Sequence, residues 1–387
     1  MENFKILIVG AGVAGLTAAG LLKQRGLTLT IIEKTAAKDF HDGGYMLGLL
    51  PLGSRVLTEL GLNDSYFEKS TEMKNYEVRK QNGDLIKQFS MDFINRDFAS
   101  YRGIGRAELI EVLLEAFPKE QVRFGTTVTQ IQECEHGTQV IFSDGSEDVF
   151  DIVILADGVG SATRKLLWSE DEYTYYDTNW GCWVVWLDAE KSREYPLDTY
   201  REHWGAGCFF GTYPVKDKVG VLVGGPNSLT KKLGLQALVE KVKLGLKSGN
   251  EHLVEALNIL AATEKPFYWE LHDVRSHVWR KGNVILLGDA AAGFLPTAGV
   301  GASMAMDSAA ALVDELSRTD KKHIGYGLDL YIKRQKQRVE IAQQDSRYLG
   351  RMMFIENPLY ARVRNYLVRF YTVNMLVKNI SKIIGGK

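Results

Sequence analysis

The apolar run Ile6-Leu7-Ile8-Val9 leads into a glycine-rich turn and then an apolar stretch from Val13 to Arg25, closed by Gly26. Four apolar residues without alternation predict a strand buried on both faces. A glycine just past a helix supplies the left-handed residue that ends it. Leu27 to Glu33 is again β-rich, through Thr28-Leu29-Thr30-Ile31-Ile32. The three pieces predict a βαβ unit of about thirty residues.

Further along, 74–90 reads as a hairpin turning at Asn82-Gly83. Ala107 to Phe117 reads as a short amphipathic helix. Gln121 to Phe150 carries three strand-like runs, with turns at His136-Gly137 and Asp144-Gly145. Asp151 to Ala156 and Val284 to Leu287 read as buried strands, and 173–223, rich in Trp, Tyr, Phe and Val, as a β-sheet. The periodicity predicts helix over 229–260, over Ser303 to Leu316, and from Tyr326 onward with a break at Asn357-Pro358. The two structural types alternate along the chain. That pattern predicts an α/β protein whose domains are each assembled from separated segments.

Composition narrows the function. A chain of 387 residues can bury a large core without disulfides or metals. A net charge of −1 argues against nucleic acid as the main partner. Three widely spaced cysteines, Cys134, Cys182 and Cys208, predict reduced thiols and a cytoplasmic protein. No HExxH occurs, and His272, Asp273 and His277 do not make a convincing ligand set, so no metal is expected. Ile6 to Leu22 carries no charge over 17 residues, but its glycines suit a strand–turn–helix better than a signal peptide or a membrane span.

Three motifs carry chemistry. The first is Gly10-Ala11-Gly12-Val13-Ala14-Gly15, a GxGxxG between strand and helix. Its glycines permit the tight turn, backbone approach to a pyrophosphate and close helix packing. Glu33 ends the next strand 18 residues after Gly15, where a carboxylate, with Lys34 beside it, meets an adenosine ribose. The second motif runs from Ile152 to Arg164 and sets Asp157-Gly158 at a strand end. The third sets Gly288-Asp289 at the end of Val284 to Leu287, followed by Pro296, Gly299, Val300, Gly301 and Ala302 at a helix start. An acid at the carboxyl end of a parallel strand is well placed for a ligand hydroxyl.

In this order and spacing the motifs resemble class A flavoprotein monooxygenases, the para-hydroxybenzoate hydroxylase-like family. Gly44 to Leu62, Arg106-Ala107-Glu108-Leu109, His203-Trp204-Gly205, Tyr213-Pro214 and Trp279 with Gly282 add to the likeness, which covers about residues 4–350. The resemblance implies a Rossmann-type FAD-binding domain (1–73, 100–170, 273–325), interleaved with a β-sheet substrate domain (74–99, 171–272) and followed by a C-terminal helical segment (326–387). It implies FAD held by Gly10, Gly12, Val13, Ala14, Gly15, Glu33, Lys34, Arg106, Asp157, Gly288, Asp289, Pro296, Gly299, Val300, Gly301 and Ala302. Asp157 and Arg164 are expected to build the architecture and an NAD(P)H or FAD contact rather than to do chemistry. The family often has His where Ala292 stands and Gln where Val300 stands, so no role is assigned through those side chains.

The resemblance further implies that NADPH or NADH, visiting transiently, reduces the flavin. Reaction with O2 then gives a C4a-hydroperoxyflavin that hydroxylates an aromatic or polycyclic, even tetracycline-like, small molecule. The substrate is expected between the flavin and the sheet, among Trp180, Trp183, Trp186, Trp204, Phe209 and Phe210. His203 and Tyr213 are the candidates to activate it, although lone residues of these types in a sheet are more often plain hydrogen-bonded side chains. A flavin-dependent halogenase, a flavin-dependent reductase and a non-catalytic FAD-binding protein are the competing readings. The first expects a WxWxIP motif, and Trp183-Val184-Val185-Trp186 has the wrong spacing. The chain is expected to be a monomer or homodimer. Its tail sets Arg362, Arg364, Arg369, Lys378, Lys382 and Lys387 among apolar residues. Such a helix can sit on a membrane, but packing across both domains is the plainer expectation.

Overall fold

The computed structural model describes residues 4–40, 44–97 and 99–370. Lys378, Lys382 and Lys387 of the basic tail lie outside them.

Two large sheets organise the chain. The first has six strands, in the order Arg280–Lys281, Val284–Leu286, Ile152–Leu155, Lys5–Val9, Thr28–Glu33 and Val122–Phe124. Its strands run parallel apart from Arg280–Lys281 at the edge. Ile6, Leu7, Ile8 and Val9 are all buried, as are all four residues of Ile152–Leu155. Each such side chain contributes roughly 1.5–3 kcal/mol by leaving water, which holds an apolar run at the centre of the sheet. Helices Val13–Gln24 and Gly301–Leu316 pack against one another beside it.

The second sheet has seven strands, in the order Phe267–Ser276, Tyr173–Leu187, Lys218–Pro226, Phe209–Val215, Thr199–Trp204, Asn75–Lys80 and Leu85–Ser90. Its pairings are antiparallel except between Thr199–Trp204 and Asn75–Lys80. One face packs on the helices Gly234–Lys243 and Glu251–Ala262 through Phe210, Val221, Val223, Leu253 and Leu257. The other looks toward the first sheet. The long helix Ile324–Met353 spans both units, and Pro358–Val368 follows it after the expected break. Asp273 is fully buried and receives two hydrogen bonds from Arg347 of that long helix, at 2.8 and 2.6 Å.

Residues 229–260 are helical in three pieces, Asn227–Thr230, Gly234–Lys243 and Glu251–Ala262, with left-handed glycines at the start of the second (Gly234, φ +83°) and before the third (Gly249, φ +88°). One expectation needs correction. Residues 121–150 hold four strands rather than three. Gly125 (φ +67°) cuts Val122–Phe124 away to join the parallel sheet, while Val128–Cys134, Gly137–Phe142 and Glu147–Phe150 form a separate three-stranded sheet. Among the described residues no cluster of His, Cys, Asp or Glu could hold a metal ion. None of their helices is long and apolar enough to cross a membrane.

Candidate active site

The fingerprint turn is pressed onto the sheet. Gly10 has φ +104°, and a Cβ there would stand 2.6 Å from the Ala156 carbonyl oxygen. A Cβ on Gly15 would stand 1.9 Å from the Gly10 carbonyl oxygen, so the helix approaches the turn only without a side chain. Gly12 is the opposite case: nothing lies within 4 Å of where its Cβ would be. Its bare backbone, with Val13 and Ala14, lines a large cavity. The first N–H groups of the helix have no intrahelical acceptor, and the helix dipole adds positive charge there.

Glu33 is buried beside this turn. Its Oε2 accepts the Ala11 N–H at 2.9 Å and its Oε1 accepts the Thr35 N–H at 2.9 Å. The two bonds fix the carboxylate at the end of its strand; Glu33 does not itself line the cavity but holds Ala11, the neighbour of Gly12, and Lys34 is exposed.

The third motif meets the first directly. Gly288 has φ +60°, and a Cβ on it would lie 2.7 Å from the Ala14 Cβ. The next residue, Asp289, turns into the cavity. Burial pushes its carboxyl pKa up to about 6, against the pull of Arg106. Arg106 also lines the cavity, and its backbone N–H donates to the Tyr45 carbonyl at 2.9 Å. Beyond it, Pro296–Ala302 forms a wall of the cavity, with Gly299 at φ +60° just before the helix Gly301–Leu316.

Asp157 is not on the cavity wall. It accepts hydrogen bonds from the Ser161 hydroxyl (2.5 Å), the Thr163 hydroxyl (2.9 Å) and the Thr163 N–H (3.2 Å), and so shapes the turn that puts Gly158 and Val159 there. The buried Arg164 donates to the carbonyls of Ala290 (2.7 Å) and Val159 (3.1 Å), fastening the second motif to the third.

The cavity, of about 480 Å³, continues from these turns to the open face of the seven-stranded sheet. Tyr213 and Trp204 line it, with Tyr76, Tyr101 and Tyr200. His203 does not. It lies on the opposite face, its ring stacked on Phe210 at 4.0 Å, and burial lowers its pKa to about 3. As a neutral side chain turned away from the cavity, it is removed from the candidates to activate a substrate. Trp180 and Phe209 pack behind the wall against Phe354. Trp183 packs on Tyr268, and Trp186 donates to the Gly44 carbonyl at 2.9 Å.

Glu202, which sequence reasoning passed over, is on the wall. Its Oε2 accepts the Tyr76 hydroxyl (2.7 Å) and the Trp204 indole N–H (2.9 Å), and its Oε1 accepts the Tyr213 hydroxyl (2.8 Å). The C-terminal helices complete the enclosure through Leu349, Met352, Met353 and Val368. Arg364 is buried rather than part of a basic surface. Its guanidinium donates to the carbonyls of Trp204 (3.0 Å), Gly205 (3.2 Å), Met352 (3.3 Å) and Met353 (3.2 Å).

The model of the family described as FAD binding domain matches residues 3–346. The chain belongs to this family. Its curated relatives include a 6-hydroxynicotinate 3-monooxygenase of Pseudomonas fluorescens, 26% identical over 89% of this chain and 91% of that one. They also include a FAD-dependent urate hydroxylase of Klebsiella pneumoniae, 29% identical over 80% of each. In fold the family member is similar to Klebsiella pneumoniae HpxO complexed with FAD and uric acid, with a TM-score of 0.83 at 23% identity over 99% and 97% of the two chains. The tetracycline destructase Tet(55) aligns with a TM-score of 0.76 at 20% identity over 99% and 97%. The chain is an FAD-dependent monooxygenase of this family, and FAD is its cofactor.

Proposed function

We propose that this flavoprotein uses NADPH or NADH and O2 to hydroxylate an aromatic or polycyclic small molecule held between the Pro296–Ala302 wall and the seven-stranded sheet. The observation that carries the reading is one continuous cavity with Gly12, Asp289 and Gly299 at one end and a tyrosine-rich sheet face at the other.

The residues present fit FAD. The open backbone at Gly12 and the free N–H groups of the first helical turn suit a pyrophosphate. Glu33, oriented by two backbone N–H groups, suits ribose hydroxyls. Asp289, which faces the cavity, suits a hydroxylated chain, and Arg106 supplies positive charge nearby. Val300 and Gly301 open a helix of 16 residues, whose dipole favours negative charge at that end. When bound and reduced, the flavin supplies the activation of O2. The chain's own residues exclude water and orient the substrate: Leu295, Met352, Met353 and Val368 close the space, and Tyr76, Tyr200 and Tyr213 of the sheet line it. Among the described residues no second glycine fingerprint accompanies the first, which suits a nicotinamide coenzyme that visits and leaves. The division into interleaved domains at the boundaries given above remains part of this proposal.

The test is to screen the purified holoprotein for compounds that accelerate NAD(P)H oxidation and to weigh the products. Gain of one oxygen atom per NAD(P)H consumed supports the proposal. Reduction of the substrate without oxygen uptake, halide incorporation, or coenzyme oxidation that no compound stimulates would favour a competing reading.

A further inference from the structure

This inference rests on the proposed hydroxylation and concerns the chemistry of the molecule hydroxylated. Charge is sparse on the cavity wall. Among the described residues lining it, the charged side chains are Arg106, Glu202 and Asp289. Arg106 and Asp289 interact with each other and with Tyr45, which leaves Glu202 as the charge of the sheet end.

Glu202 is 7% exposed, and what it exposes faces the cavity. A carboxylate offers about four acceptor directions. Two on Oε2 are filled by Tyr76 and Trp204, and one on Oε1 by Tyr213. Burial raises the carboxyl above its ordinary range while the three donors hold it down. Among the described residues no arginine or lysine shares this end of the wall. Arg201, next in sequence, points to the opposite face and donates to Glu77 at 3.0 Å. Tyr101 stands between Glu202 and the proposed flavin end: it lines the cavity, and a Cβ on Gly299 would lie 3.4 Å from its hydroxyl.

A substrate carboxylate placed here would face a like charge in water-poor space with no cation to offset it. A hydroxyl or N–H donor would fill the remaining acceptor direction, in a charge-assisted bond that is stronger for being buried. We propose that Glu202 determines specificity: it receives an O–H or N–H donor on an aromatic ring system that itself bears no carboxylate. Tyr76, Trp204 and Tyr213 are positioning residues, which fix the carboxylate without neutralising it.

The test uses wild-type holoprotein and three bicyclic probes, followed by the change in flavin absorbance on titration. 2-Naphthol has the donor, 2-methoxynaphthalene lacks it, and 6-hydroxy-2-naphthoate has donor and carboxylate together. 2-Naphthol is expected to bind about tenfold more tightly than either of the others. In Glu202→Gln, with flavin content unchanged, the gap between 2-naphthol and 6-hydroxy-2-naphthoate should narrow by about tenfold. The assignment is overturned by equal or tighter binding of 6-hydroxy-2-naphthoate to wild type. It is equally overturned by a response to 2-naphthol no greater than to 2-methoxynaphthalene, or by an unchanged ratio in a folded E202Q. The wild-type ranking decides by itself where that variant folds poorly. Binding is read without turnover, so selectivity with no oxygenated product sinks the proposed hydroxylation of such rings and leaves this assignment standing. Oxygenated product without selectivity does the reverse.

Discussion

Gly288 and Ala14 belong to motifs 274 positions apart, yet a single added methyl group on Gly288 would lie 2.7 Å from the Ala14 Cβ. This contact seats the third motif on the fingerprint helix. Gly288→Ala meets both that collision and a φ of +60°. We expect a loss of about 1–3 kcal/mol in stability and a clear fall in the ratio of flavin to protein absorbance. Thermal melts and a spectrum of the purified protein check it; full flavin content would show that the contact can relax.

Glu33 accepts two backbone N–H groups, those of Ala11 and Thr35. Glu33→Ala leaves both without their partner beside the cofactor site, at about 1–3 kcal/mol each where water cannot replace it. FAD affinity should fall by more than about tenfold, and Glu33→Gln should lose less because one oxygen remains. Titration of the apoprotein with FAD measures both.

The stability of the flavin-free protein should depend on pH through Asp289. Its carboxyl is raised from 3.8 to about 6 by burial. The folded form therefore binds the proton more tightly than the unfolded form. The stabilisation is fully present below 3.8 and lost as pH rises through about 6. Asp289→Asn should therefore melt higher than wild type at about pH 7.5 and lose that advantage at about pH 4. Equal differences at both pH values would remove Asp289 as the cause. In the same variant the holoprotein should bind FAD less tightly, because the carboxylate facing the cavity is gone.

Arg364 joins the end of the Thr199–Trp204 strand to the end of the long helix through four carbonyls, and burial lowers its pKa to about 10. Arg364→Ala should cost about 2–4 kcal/mol and raise the substrate KM more than it lowers kcat, since Trp204 is on the cavity wall. Denaturant melts and steady-state kinetics separate the two effects. An unchanged KM would confine Arg364 to a purely structural role.

The flavin half of the site was legible because Gly10 and Gly15 meet backbone contacts that only glycine satisfies, while Gly12 leaves its backbone bare to the cavity. Gly10, Gly12 and Gly15 each meet a different demand, and short-range order in the chain displays all three. Asp157 is held within its own turn, off the cavity wall. An acid after a buried strand can equally cap its own turn, and the Ser161 and Thr163 that it caps were in plain view.

The substrate half was harder. His203 and Glu202 are neighbours, so the pleat sends them to opposite faces. Tyr200, Glu202 and Trp204 share one face, and that alternation was available before any coordinates. What chain order did not reveal was which face the helices Gly234–Lys243 and Glu251–Ala262 would cover. The burial of Arg364 was equally hidden, because its acceptors are carbonyls about 160 residues away and only 11 or 12 away.

The order of strands in the parallel sheet has a consequence for synthesis. Lys5–Val9 and Ile152–Leu155 are neighbours, and Val284–Leu286 pairs with the latter. A ribosome must therefore release nearly three quarters of the polypeptide before the pocket for the coenzyme exists. Such remote pairings form slowly, and a prematurely ended message would yield no partial yellow protein, only a colourless fragment.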